Sequence, residues 1–258
     1  ELHTVGSDAG YTQDDVEAFA RALTGWTIGR EELHPEPQWG LALFDQRLHE
    51  PGPQRVMGMV YRDRGADQAR AIIRNLARAP ATARRISEKV ARHFLSDAPG
   101  EPQIAHIERA WRRSRGDLAE VARAVVEAPG AFEPGFSKFK PPEAFLISAL
   151  RALEADPPDA QGLFGAFAAI GQIPFTAPSP EGWPDDEESW ADPDAIKKRL
   201  EFSNALARRV GDRAMPVDRA DAVLGRRLDA DTALAVSRAE SPVQGFTLFL
   251  MSPDFMRR

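Results

Sequence analysis

Cysteine is absent from this sequence. Without a thiol, disulfide cross-links, thiolate catalysis and Cys-ligated zinc are all excluded. The absence is neutral about redox compartment, since a cysteine-free chain tolerates oxidising and reducing surroundings alike. No apolar run approaches the roughly 20 residues that a bilayer-spanning helix needs. A basic excess is missing too: 33 Lys and Arg face 39 Asp and Glu, a net charge of −6. That balance argues against a nucleic-acid binder, which normally gathers positive charge on one face. There is no Gly-rich phosphate loop, nucleophile elbow or HExxH pair. The five histidines, His3, His34, His49, His93 and His106, are scattered.

What is present is an ordinary globular composition. Hydrophobic residues at 43% and charged residues at 28% argue against disorder, and 258 residues can bury a substantial core. Most apolar positions recur at helical spacing. Thr12 stands as an N-cap with Asp15 three residues on, and Val16, Phe19, Ala20 and Leu23 then form one stripe. That stripe places Phe19 and Leu23 in the interior, and Gly25 ends the helix. Further helices are expected from Asp67 to Pro80, from Thr82 to Leu95 with Ile86, Val90 and Phe94 inward, and from Glu101 to Arg113. Others follow Asp117, span Glu143 to Glu154, Gln161 to Gly171 and Ala195 to Val210, and follow Ser241-Pro242. Trp39–Arg47 and Gln54–Tyr61, joined through Glu50-Pro51-Gly52-Pro53, read as a short β-hairpin. The expected fold is therefore mainly α: a multi-helix orthogonal or bundle-like domain with one short β-hairpin.

Few residues stand out as chemistry. Glu1 and His3, two apart, would with Trp26 form parts of one site, but a metal site needs more ligands than this segment supplies. His49-Glu50 sets an imidazole beside a carboxylate, which suits a general base or a metal pair, or equally a hydrated turn. Arg85, Lys89 and Arg92 make a basic row that would receive an anion, though such rows are commonly solvated faces. Lys138 and Lys140, in an extended lead before Glu143, would share a face and either pair with acids or grip a phosphate or carboxylate. The stretch Gln172–Trp190, rich in Pro, Gly and acids, is too long for a casual connection. Trp183 and its neighbours pin it as an ordered loop, and a subdivision of the domain is expected near 172–192. The acids from Glu181 to Asp194 lack EF-hand spacing, and Asp192-Pro193 already serves as a helix start.

Several stretches together carry a family resemblance. They are ELHTVG with GYTQDDVEAFARALTGWT, LARAPATARRISEKVARHFLSD, KFKPPEAFLISALRAL, GQIPFTAPSPEGWPDD and LFLMSPDFMRR, in that order along essentially the whole chain. They are similar to the blocks of the bacterial DUF1800 family, a group of unknown function. The family commonly has His-Asp followed by Gly and Lys where this chain has His49-Glu50-Pro51-Gly52-Pro53-Gln54. If the family uses that Lys, this chain lacks it. The chain opens on Glu1 rather than Met, and the resemblance implies a preceding segment. The expectation is that residues 1–258 form the C-terminal portion of one DUF1800-type domain. The resemblance also implies an exported, extracytoplasmic protein and, loosely, a sulfatase-like partner encoded nearby.

Two classes of function follow. One is a partner-dependent binding or scaffold role. The other is a hydrolase-like enzyme or metal-binding domain, with Glu1, His3, His49 and Glu50 as its reactive groups and Trp26, Arg85, Lys89, Lys138 and Trp183 around them. No reaction, metal or cofactor is specified by the residues.

Overall fold

A computed structural model describes residues 2–132, 138–212 and 214–258. Glu1 lies outside the described residues. Helix starts follow side-chain capping. The Thr12 hydroxyl accepts the Asp15 N–H at 3.3 Å while the Asp15 carboxylate accepts the Thr12 N–H at 2.8 Å, closing a capping box at the head of α1 (Gln13–Leu23). The described residues divide into two compact units, and each is taken by itself.

The first unit comprises residues 1–90 and 100–129. After α1 come β1 (Trp26–Ile28), β2 (Ala42–Phe44), β3 (Gln54–Val56) and β4 (Met59–Tyr61), then α2 (Ala66–Arg78), α3 (Pro80–Phe94), α4 (Glu101–Ser114) and α5 (Leu118–Val126). The last residues of α3 are assigned to the second unit. A small core joins Ala18, Ala22, Val56, Tyr61 and Ile72, with Phe19 and Leu76 against it. Buried Gln68 donates from its Nε2 to the carbonyls of Gly52 and Tyr61 at 2.9 and 3.1 Å, while its Oε1 is buried with no partner among the described residues. Ile107 and Trp111 are buried on α4, and the Trp111 indole donates to Ala77 O at 3.2 Å.

Three expectations need correction here. The sheet is not one hairpin across residues 39–61. β1 pairs with β2, Trp26 opposite Phe44, and β3 pairs with β4. The tight turn of the second pair is Met57-Gly58, with φ of 48° and 79°, the geometry that two-residue hairpin loops require. Pro51 and Pro53 instead sit in the connection before β3, where neither has to supply a ladder N–H. Secondly, the inward face of α1 is Ala18, Phe19 and Ala22, one position before the expected stripe; Val16 and Leu23 are 45% and 38% exposed. The reason is the β3–β4 hairpin. Asp15 accepts the Met57 N–H at 2.6 Å and Arg21 donates to Gln54 at 3.2 Å, so the Asp15–Ala18–Ala22 ridge faces it and small side chains let it close in. Thirdly, α3 buries Ala83, Ser87 and Ala91 while Phe94 is 64% exposed, again a shift of one position. Helical period comes from the backbone, but phase is set by which neighbour the helix meets.

The second unit comprises residues 91–99 and 130–258. It contains α6 (Pro142–Ala152), α7 (Ala160–Ala169), α8 (Glu187–Trp190), α9 (Pro193–Val210), α10 (Pro216–Leu224), α11 (Ala230–Ser237), α12 (Pro242–Met251) and α13 (Pro253–Met256). Asp192 caps α9 by accepting from Asp194 and Ala195, and Ser241 caps α12 by accepting from Gln244. The expected last helix is thus followed by one further turn, α13. Its core is larger: Phe145, Ala149, Leu206, Ala207, Phe246, Phe249, Leu250 and Phe255 form one cluster. α9 and α12 are its main packing pair. The chain is mainly α, with two small antiparallel strand pairs among the described residues. No described helix is long and apolar enough to cross a membrane.

Candidate functional site

The His49 turn is built by the end of α1 and the β1–β2 pair. Gly25 leaves the helix at φ 88°, and a Cβ there would lie 2.8 Å from the Phe44 ring and 3.0 Å from His49 Cβ. Only glycine meets both demands. Its carbonyl accepts the Asp45 N–H at 2.8 Å. A short 3-10 turn, Gln46–Leu48, then delivers His49 beneath Thr24.

The His49 side chain is 0% exposed. Its Nδ1 lies 2.9 Å from Thr24 O, so that nitrogen carries a proton and donates. Its Nε2 faces Asp63 Oδ1 at 3.4 Å. Asp63 also accepts the N–H groups of Gly65 and Gly52, each at 3.0 Å. Those two backbone bonds, with His49 adding less, hold its carboxyl below the ordinary aspartate value. The Thr24 hydroxyl donates to Arg21 O at 2.6 Å and accepts the Glu50 N–H at 2.7 Å. The imidazole is thus a tie between the helix exit and the loop after β4. Glu50 is exposed.

Of the other candidates in this unit, Trp26 reaches the imidazole only through the Phe44 ring, which lies 5.2 Å from His49. His3 is exposed. Trp26 is half-buried, edge-on to Phe44 at 5.8 Å, with the Arg70 guanidinium 5.0 Å above its ring. Its indole Nε1 is buried with no hydrogen-bond partner among the described residues. Half-buried Arg85 lays its stem against Gly6, and Lys89 is half-buried one turn on. Among the described residues no three His, Asp or Glu side chains are grouped so as to hold a metal ion.

In the second unit Lys138 is buried and doubly paired. Its Nζ donates to Asp97 Oδ1, donates to Asp185 O at 2.8 Å and lies 3.3 Å from Asp185 Oδ1. The other Asp97 oxygen accepts the Glu187 N–H at 2.7 Å, at the head of α8, and Glu187 pairs with Arg257. His93 meets Asp185 at 2.8 Å. Trp183 is half-buried with its ring 6.0 Å from Trp190, whose indole donates to Pro184 O at 2.8 Å. The stretch 172–190 is therefore ordered by a lysine at one place and a tryptophan pair at another.

The sequence profile of DUF1800, a protein of unknown function, matches residues 1–257. The chain belongs to the DUF1800 family. No curated protein and no solved structure matches it.

DUF1800 membership brings no reaction with it, so the chemistry of this DUF1800 chain rests on its geometry. The His49–Asp63 contact has the form of a base and its orienting acid, but the imidazole is closed to solvent. Both partners missed by sequence reasoning, Asp63 for His49 and Asp97 for Lys138, lie in polar loops with no spacing that links them to their mates. Arg199 was missed for a different reason. It is 0% exposed, on the same face of α9 as Ser203, Leu206 and Val210. A charged residue in phase with that apolar stripe was the available signal. Asn204 accepts from Arg208 at 2.8 Å.

Proposed function

We propose that this DUF1800 protein is a binding or scaffold module rather than a hydrolase. The closed His49 ring carries the reading. A general base must come within roughly 2.6–3.2 Å of the proton it removes, and a ring with no exposed surface offers substrate no approach. Its Nδ1 donates to Thr24 O and its buried Nε2, without a hydrogen bond of its own, faces Asp63, so both ring nitrogens are turned to the protein's own fold. The family resemblance supports an extracytoplasmic setting and a sulfatase-like partner as part of the same reading; cell fractionation of the native host and co-purification with that protein check these two points.

The catalytic alternative is tested directly. The full chain and its His49→Gln variant are assayed against ester, phosphate-ester, sulfate-ester, peptide and glycoside substrates. The expected result is no turnover that the substitution removes, together with a stability loss of about 1–3 kcal/mol by urea unfolding, because the buried bond to Thr24 O is lost. Turnover by the parent chain that His49→Gln abolishes at unchanged stability would sink the proposal.

A further inference from the structure

The second unit holds a groove of about 470 Å³, within the size range of small-molecule sites. It lies between α6, the end of α10 and α13. Lys140, Arg151 and Arg227 line it, and no Asp or Glu does. Its apolar wall includes Ile147, Val223 and Leu224, and the first two are large side chains left exposed.

The cations are placed rather than merely present. The Lys140 ammonium sits 3.9 Å from the Phe255 ring centroid, and its backbone N–H donates to Met256 O at 2.8 Å. No described carboxylate lies within ion-pair distance of Lys140 or Arg151. The Arg227 guanidinium is oriented by the carbonyls of Asp254 and Arg257 at 3.2 and 2.9 Å. Asp254, the acid that acts on Arg227, accepts the Asp229 N–H at 2.9 Å. Behind Lys140, buried Arg199 donates to Lys140 O at 2.7 Å and lies over Phe139 and Phe145. Burial first, then the like charges of Arg227, Arg199 and Arg258, push Lys140 down to about 8. The half-enclosed Lys140 charge, which no described carboxylate pairs, is destabilising until an anion enters.

We infer that this groove binds an amphipathic organic anion, with a carboxylate or phosphate head among Lys140, Arg151 and Arg227 and an apolar body along Ile147, Val223 and Leu224. Arginine forks suit either planar carboxylate or phosphate, and the exposed aliphatic wall supplies contact that an inorganic ion cannot use. The inference rests on the binding reading above and gives it a ligand class.

Calorimetric titration of the full chain tests it with octanoate, octyl phosphate, octanol and inorganic phosphate. Octanoate or octyl phosphate is expected to bind, and which of the two binds tighter identifies the head group. Octanol and inorganic phosphate are expected to bind at least roughly tenfold more weakly, since each lacks one half of the recognition. Lys140→Met and the surface change Arg151→Gln should each weaken the octyl anion by about tenfold, the loss of one charge-assisted contact. Val223→Asp, at an exposed wall position, should weaken it by repelling the head and wetting the wall. Octanol equal to octanoate, inorganic phosphate equal to octyl phosphate, indifference to all three substitutions, or no binding by either octyl anion would each overturn the inference. Such failures leave the binding reading intact, whereas turnover lost with His49 would remove that reading and leave the groove standing.

Discussion

Lys138 and Lys140 sit two residues apart on one extended lead into α6, yet they meet opposite surroundings. Lys138 is closed in by Asp97 and Asp185. Lys140 has an aromatic face, a buried arginine and further cations around it, and no carboxylate pairs with it among the described residues. The same residue type, buried at 138 and half-buried at 140, thus has its charge answered in one place and left open in the other. A buried charge whose partners are part of the fold is a structural tie. One whose partners are missing from the fold costs stability, and such costs are typical of sites shaped for something else. The Lys138 network orders the 172–190 stretch; the Lys140 groove is the better place to look for a ligand.

The largest expected effect is at the paired lysine. Lys138→Met leaves two carboxylates facing each other and the Asp185 carbonyl without its donor. The expected loss is about 2–4 kcal/mol, below the value for a fully enclosed pair because both carboxylates keep some solvent. Urea unfolding measures it, and protection of the Glu187 amide from hydrogen exchange should fall with it. A loss no greater than that of an average surface substitution would erase the contrast between the two lysines.

Lys140→Met should act in the other direction. The folded-state value of about 8 lies below the ordinary lysine value of 10.5, so the unfolded chain holds the extra proton between those two values. Stability contributed through this group therefore rises with pH from about 8 to 10.5 and is missing below about 8. Removing the charge while keeping the stem on Phe255 should stabilise the protein by about 1 kcal/mol at pH 7, after discounting for the exposed part of the side chain. The difference in stability between variant and parent should shrink as pH climbs through that window. A pH-independent difference, or a destabilised variant, would put Lys140 among the structural ties.

The smallest effect is the sharpest control. Arg151→Gln, on an exposed part of α6, should change unfolding stability by less than about 0.5 kcal/mol. A stability loss comparable to that of Lys138→Met would show Arg151 to be a fold contact rather than a groove cation.

How much of this was legible follows from distance along the chain. The caps at Thr12, Asp117, Asp192 and Ser241 were readable because each bond closes within three residues, where composition and position say everything. Helical period was readable for the same reason. The phase of α1 and α3 was not, since Ala18 and Ala83 lie inward only because of what packs beside them. The register of the strands failed similarly: Trp26 pairs with Phe44 across a long connection that no local signal encodes. Of the two lysines, the sequence offered both outcomes for both residues. His49 and Glu50 were adjacent in sequence, but the carboxylate that the ring faces is Asp63, and Glu50 points its side chain to solvent.

By itself, then, the amino-acid order determined the mainly helical class, the positions where helices begin, the absence of thiol chemistry and membership of DUF1800. Only tertiary structure decided that His49 is sealed, that Lys138 is neutralised and that Lys140 is not. The reason is physical. Local bonds depend on residues a turn apart, whereas burial and charge balance depend on side chains brought together from distant segments, and folding alone chooses those companions.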